Sequence, residues 1–176
     1  MRQGMMLLCC AAALVACGSS SGNETFHANM TSAQEIPAPV GLGNPTPTGT
    51  AVFTNNGDGT VSYTVNASAL TTQFSTTASP ITFTGMHIHL AVAGETAGVT
   101  VPLTTPTPGA TAGTTSVTGT FTSTTCPGGG VVNCINTGNT LDTVLAALRN
   151  GGAYLNIHTS RNPSGELRGQ IQTGGL

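Results

Sequence analysis

The stretch TAVFTNNGDGTVSYTVNASAL, residues 50–70, constrains the fold more than any other part of the chain. Apolar and polar residues alternate on both sides of NNGDG, residues 55–59, a centre made of residues that tolerate positive φ. Successive side chains of a β-strand point to opposite faces, so each flank reads as a half-buried strand and the centre as the turn of a hairpin. The same alternation starts at Thr25 and returns in ITFTGMHIHLAV, GVTVPL, SVTGTFTS, AYLNIHTS and ELRGQIQ, with Gly- or Pro-rich punctuation between the runs. Many short strands separated by turns predict an all-β fold, an antiparallel Greek-key sandwich or a partly closed barrel. One segment differs. NTLDTVLAALRNGG carries Leu141, Val144, Leu145 and Leu148 at helical spacing, Asn139 or Thr140 as cap, and Gly151-Gly152 as stop, which predicts one short helix packed on the sheet. No internal repeat is visible, and the Thr/Pro/Gly stretches near 41–49 and 104–115 read as loops.

At 176 residues the chain has room for one such domain. Its first part reads differently. Arg2 followed by an apolar run over residues 5–16 has the form of an export signal and is too short to span a bilayer. The run ends in Leu14-Val15-Ala16-Cys17, which resembles the bacterial lipobox, where the cysteine is lipidated and becomes the new N-terminus. The other reading is an ordinary secretory signal with an incidental cysteine. The expected organisation is a lipoprotein signal peptide over 1–16, a flexible tether over 17–23 and a β-domain over 24–176. Cys17 would anchor the chain to the membrane of a bacterial cell envelope. The absence of aspartate directly after Cys17 favours, by resemblance, the outer membrane.

Export changes how the remaining cysteines read. Cys126 and Cys134 close a short Gly-rich loop, CPGGGVVNC, and in an oxidising compartment this pair is most simply a disulfide, the rival reading being a thiol metal site. Only 6% of residues are charged, with four arginines and no lysine, so no basic stripe is available to neutralise phosphates and nucleic acid is an improbable partner. No Ser/His/Asp constellation, phosphate loop or visible carboxylate pair points to catalysis, and the expectation is no enzyme.

The chemistry of the chain concentrates in GMHIHL, residues 85–90. Ile81 and Phe83 are apolar at odd positions, whereas Met86, Ile88 and Leu90 are apolar at even ones, so the frame slips at Gly85, where a β-bulge is plausible. Met86, Ile88 and Leu90 then face the core, and His87 and His89 face away from it on one common face. In the last hairpin, Leu155 and Ile157 must share the buried face with Leu167 and Ile171. Pairing Ser160 with Glu166 around the turn over residues 161–165 satisfies this and sets His158 opposite Arg168, so His158, Glu166 and Arg168 lie on the non-core face. If the two segments are neighbours, His87, His89 and His158 converge, with Glu166 or His27 to complete a copper or zinc site of three ligands and an open position. The alternative is a hydrogen-bonded polar cluster that fixes two strands, with Glu166 paired to Arg168 or Arg161.

GMHIHLAVAGETAG, YLNIHTSRNPSGELRGQI and, ahead of them, ANMTSAQEIPAP together resemble the CHRD domain, a family first described in chordin and common in bacterial exported proteins; the resemblance spans residues 25–172. It implies an all-β extracytoplasmic domain with no established enzymatic activity. The cysteine loop and His27 depart from the commonest family pattern. GxHxH also resembles the copper-ligand strand of Cu,Zn superoxide dismutase, but that enzyme holds two metals with more ligands than the four histidines present here. The expected function is a membrane-anchored, non-catalytic binding or structural module displayed toward a protein or glycan partner. The alternative is copper or zinc binding through the histidine cluster on the sheet surface.

Overall fold

The computed structural model describes residues 23–71, 85–104, 113–128 and 130–175. The signal peptide, Cys17, most of the tether, and Ile81 and Phe83 with their frame slip lie outside the described residues. Eight antiparallel strands form one sheet: β1 (Glu24–Thr31), β2 (Thr48–Asn55), β3 (Thr60–Leu70), β4 (Met86–His89), β5 (Val99–Pro102), β6 (Gly113–Thr122), β7 (Ala153–Ile157) and β8 (Leu167–Thr173). Their order is β5-β4-β7-β8-β1-β2-β3-β6, and the sheet curls into a nearly closed barrel. Of the two architectures expected from the alternation, the partly closed barrel is the one formed. The hairpin read from residues 50–70 is β2–β3, paired from Asn55↔Val61 to Thr48↔Ser68. Its turn uses Gly57 and Gly59 at φ of 78° and 87°, and Asp58 Oδ1 accepts from the Thr60 amide at 3.0 Å.

Alternation sets the inside of the barrel. Phe26, Phe53, Val61, Val65, Phe121, Met86, Ile88, Leu155, Ile157, Leu167 and Ile171 form one core, each full burial of such a side chain stabilising by about 1.5–3 kcal/mol. Tyr63 faces Gly119 across β3 and β6, where any Cβ would run into its ring. The helix α1 (Leu141–Asn150) starts at Thr140, whose hydroxyl accepts from the Thr143 amide in a capping box, and stops at Gly151 in the left-handed region at φ 71°. Val144, Leu145 and Leu148 bring its apolar stripe into the barrel core. Among the described residues no helix is long and apolar enough to cross a membrane.

The two edge strands, β5 and β6, do not pair directly; the cysteine loop bridges them. The Asn133 amide donates to Pro102 O at 2.7 Å and Asn133 O accepts from the Thr122 amide at 3.1 Å. One turn further, Asn136 donates to Thr100 O at 2.8 Å and Ile135 to Thr124 O at 2.9 Å. Cys126 and Cys134 are joined by a disulfide, as their spacing predicts. Asn133 itself holds φ 61°, while its side chain accepts from Tyr63 Oη at 2.8 Å and donates to Thr104 Oγ1 at 2.7 Å. The cysteine loop is thus the strap that bridges the two edges of the barrel, satisfying edge groups that would otherwise be open to another chain.

Two sequence expectations about extent change. The loop-like stretches near 41–49 and 104–115 run into strands, because β2 starts at Thr48 and β6 at Gly113. The strand through GMHIHLAV ends at His89, and Val92 is exposed.

Candidate metal centre

The strand order makes the two histidine segments neighbours. β4 pairs with β7 in the register His87↔Asn156 and His89↔Tyr154, and the ladder continues past β7 through the His158 amide, which donates to Gly85 O at 2.7 Å. Met86 and Ile88 point into the barrel, so His87 and His89 project outward together, their ring centroids 5.7 Å apart. The His158 ring lies 5.0 Å from that of His87. Each ring offers one nitrogen to a common group whose members all lie within 4.8 Å of one another.

Two of these rings have their tautomer set by the backbone. His89 Nδ1 lies 2.9 Å from Ala97 O, and His158 Nδ1 lies 2.9 Å from Pro163 O. A carbonyl oxygen only accepts, so each Nδ1 carries the hydrogen, and in the neutral ring Nε2 keeps its lone pair. Both Nε2 atoms are sealed from solvent and make no hydrogen bond among the described residues. Burial pushes His89 down to about 4, the Ala97 carbonyl opposing and the charge of Arg168 adding to the shift. Burial also lowers His158. At neutral pH both are imidazoles, the form that ligates a metal, each oriented by an outer hydrogen bond of the kind found behind metal-bound histidine.

The face is not a sheet surface, and this corrects the sequence reading. His87, His89, Asn156 and Arg168 are all buried, the first only 1% exposed. Segments that follow β1 and β4 roof the outer side of β4, β7 and β8. Glu35 accepts from Asn156 Nδ2 at 2.7 and 2.5 Å, Arg168 Nη2 donates to Glu95 O at 2.7 Å, and Gln170 Nε2 donates to Ala91 O at 2.8 Å. Val40 N donates to Asn162 Oδ1 at 2.9 Å, tying the first roof segment to the β7–β8 turn. Desolvation raises the Glu35 carboxyl to about 7, against the pull of Ile36 N, Arg168 and Asn156.

The register of the last hairpin also differs from expectation. Arg168 faces Asn156, and Leu167 faces Ile157, a shift of two residues that preserves every inward and outward assignment. Arg168 therefore leaves Glu166, whose oxygens instead accept from Thr71 N at 2.7 Å, Thr159 Oγ1 at 2.6 Å and Asn162 Nδ2 at 3.0 Å. Glu166 is outside the three-histidine group. So is His27, which faces Gln172 on β1, with β8 and β7 between it and β4.

Two residues escaped the sequence reading. Tyr154 stacks on His89 at 4.7 Å with planes 7° apart, and carries the Arg168 guanidinium 3.5 Å from its ring centre. Its position directly before the inward Leu155 marked it as outward-facing, but not as covered. Glu35 lay in ANMTSAQEIPAP, where no periodicity distinguishes a roof carboxylate from a solvated one.

The arrangement is a nearly closed all-β barrel with a second, polar layer built around three clustered imidazoles. The chain belongs to the CHRD domain family, whose family model matches residues 26–171. Membership suggests a non-catalytic binding module. No curated protein and no solved structure matches the chain.

Proposed function

We propose that this chain is an exported CHRD-domain module, lipid-anchored through Cys17 at the bacterial outer membrane, that binds one copper or zinc ion at His87, His89 and His158. The observation that carries the metal reading is the pair of backbone carbonyls, Ala97 O and Pro163 O, each holding an Nδ1 hydrogen and leaving a buried Nε2 lone pair beside the third ring. Two ligands from one strand and a third from its neighbour make a three-imidazole set of the sort both metals accept. Neither Glu166 nor His27 is part of it. The disulfide favours an oxidising compartment, which supports export. A protein or glycan partner would meet the hydroxyl-rich outer faces of β2 and β3, away from the roofed histidines.

The test is metal content and equilibrium titration of the purified full chain beside the His87→Ala/His89→Ala variant. Wild type should retain about one equivalent and the variant none, with its β-rich circular dichroism intact. A wild type that binds no tighter than scattered exposed histidines, with a variant that melts much lower, would make the cluster a structural one.

A further inference from the structure

We infer that the three-histidine site selects a monovalent d10 ion, Cu(I), over Zn(II), and that Arg168 is the residue that sets the selection. The inference rests on the metal reading above and adds the identity of the ion.

Three observations carry it. The first is the donor set: three imidazoles bring no negative charge, so the ion keeps its full charge inside the protein. The acidic groups that could have changed this are engaged elsewhere, Glu166 by Thr71, Thr159 and Asn162, and Glu35 by Asn156. The second is burial. His87 and His89 are 1% and 7% exposed, and the cost of moving an ion out of water grows with the square of its charge. A dication is penalised about four times as heavily as a monocation of similar size.

The third observation is a fixed cation in the second layer. Tyr154 stands on β7 between β4, which carries His89, and β8, which carries Arg168. The imidazole stacks on the phenol ring at 4.7 Å and the guanidinium carbon lies 3.5 Å from the same ring centre; the two spacings add to 8.2 Å, so Arg168 is no farther than that from the His89 ring. Guanidinium does not lose its proton in proteins. Arg168 donates to Val92 O and Glu95 O, and among the described residues no salt bridge joins it to a carboxylate, although Glu35 senses its charge. Its charge therefore acts on whatever the histidines hold.

Coulomb repulsion is linear in the charge of the ion, which gives the inference a quantitative form. If removing the Arg168 charge strengthens Cu(I) binding n-fold, it must strengthen Zn(II) binding n-squared-fold. At about 8 Å and an effective dielectric of about 30, n is about ten and n squared about one hundred. Coordination works in the same direction: Zn(II) asks for four ligands, whereas Cu(I) is satisfied by two or three nitrogen donors.

The experiment is a pair of competition titrations on the full chain under strict anaerobiosis, Cu(I) against bicinchoninate and Zn(II) against a chromogenic chelator, for wild type, Arg168→Gln and Arg168→Lys. Wild type should prefer Cu(I) by about one hundredfold or more. Arg168→Gln should gain Zn(II) affinity by about the square of its Cu(I) gain, and Arg168→Lys, which keeps the charge, should behave as wild type. Equal gains for both ions in Arg168→Gln, or a wild type that holds Zn(II) as tightly as Cu(I), would overturn the selection while leaving the metal site standing. Should Arg168→Gln fail to fold, wild type alone decides through Ag(I), a redox-inert monovalent d10 probe, which must bind where Zn(II) does not. A wild type that binds none of the three ions would remove the metal reading itself.

Discussion

The guanidinium carbon of Arg168 lies 3.5 Å above the centre of the Tyr154 ring, and His89 stacks on that ring in turn. Three planar groups from adjacent strands thus form one column outside the barrel, closed over by backbone carbonyls at Val92 and Glu95. The column holds a permanent cation in a buried layer, with no salt bridge to a carboxylate among the described residues. Its stability comes from stacking, from cation–π attraction and from charged hydrogen bonds to those carbonyls.

Tyr154 should accordingly tolerate loss of its hydroxyl but not of its ring. Tyr154→Phe gives up only a 3.4 Å contact with the Ala97 amide and should cost under about 1 kcal/mol, whereas Tyr154→Leu removes both stacking partners and should cost about 2–3 kcal/mol. Chemical denaturation of the two variants measures the difference. Equal losses would mean that the ring contacts add nothing beyond volume.

The pH dependence of the metal-free protein follows from buried groups of opposite sign, His89 and His158 lowered and Glu35 raised. His89 falls to about 4 in the folded chain from an ordinary 6.5, so below 6.5 the unfolded state takes up the proton first and stability drops as pH falls toward 4, by about 3 kcal/mol. Glu35 rises from 4.5 to about 7, so the folded state holds the proton longer and stability drops as pH rises from 4.5 toward 7, by a similar amount. The Glu35 slope opposes the histidine slopes between about pH 4.5 and 6.5, so wild type should depend on pH less steeply there than the histidines alone would dictate. Glu35→Gln should expose the histidine slope, gaining about 3 kcal/mol between pH 4 and 6.5. Denaturation curves at stepped pH test this, and a Glu35→Gln profile parallel to wild type would contradict it.

The disulfide secures the segment that bridges β5 and β6. Replacing Cys126 and Cys134 by Ala frees a loop of this length at a cost of about 2.5 kcal/mol. Amide exchange should quicken first at Asn133, Ile135 and Asn136, the donors to Pro102, Thr124 and Thr100. Uniform acceleration across the barrel, with no preference for these amides, would argue against the strap.

Anchoring by Cys17 is tested by fractionation of Cys17→Ala, which should leave the membrane fraction or accumulate unprocessed. A variant that fractionates and migrates as wild type does would exclude lipidation at this position.

Much of the barrel was legible because alternation reports directly on which side of a sheet a residue occupies. The β2–β3 hairpin, the helix from its cap at Thr140 to its stop at Gly151, and the shared outward direction of His87 and His89 all follow from local periodicity and turn chemistry. Parity could not detect the two-residue shift that sets Arg168 opposite Asn156, since such a shift leaves every face unchanged. Nor could it reveal the roof. Glu35, Val92 and Glu95 belong to segments without periodicity, and only their packing onto β7 and β8 turns an apparently solvated histidine face into a buried one. Neighbourhood of β4 and β7, on which the cluster depends, is a long-range pairing with no local signature.

The central claim is that His87, His89 and His158 ligate one ion together, and X-ray absorption at the edge of the bound metal reads those ligands directly. Loaded with one equivalent, the full chain should show three imidazole scatterers with their outer-ring signals, at about 2.0–2.1 Å for zinc, and His158→Ala should leave two. A first shell of oxygen with one imidazole or none, unchanged in His158→Ala, would place the metal elsewhere and contradict the account.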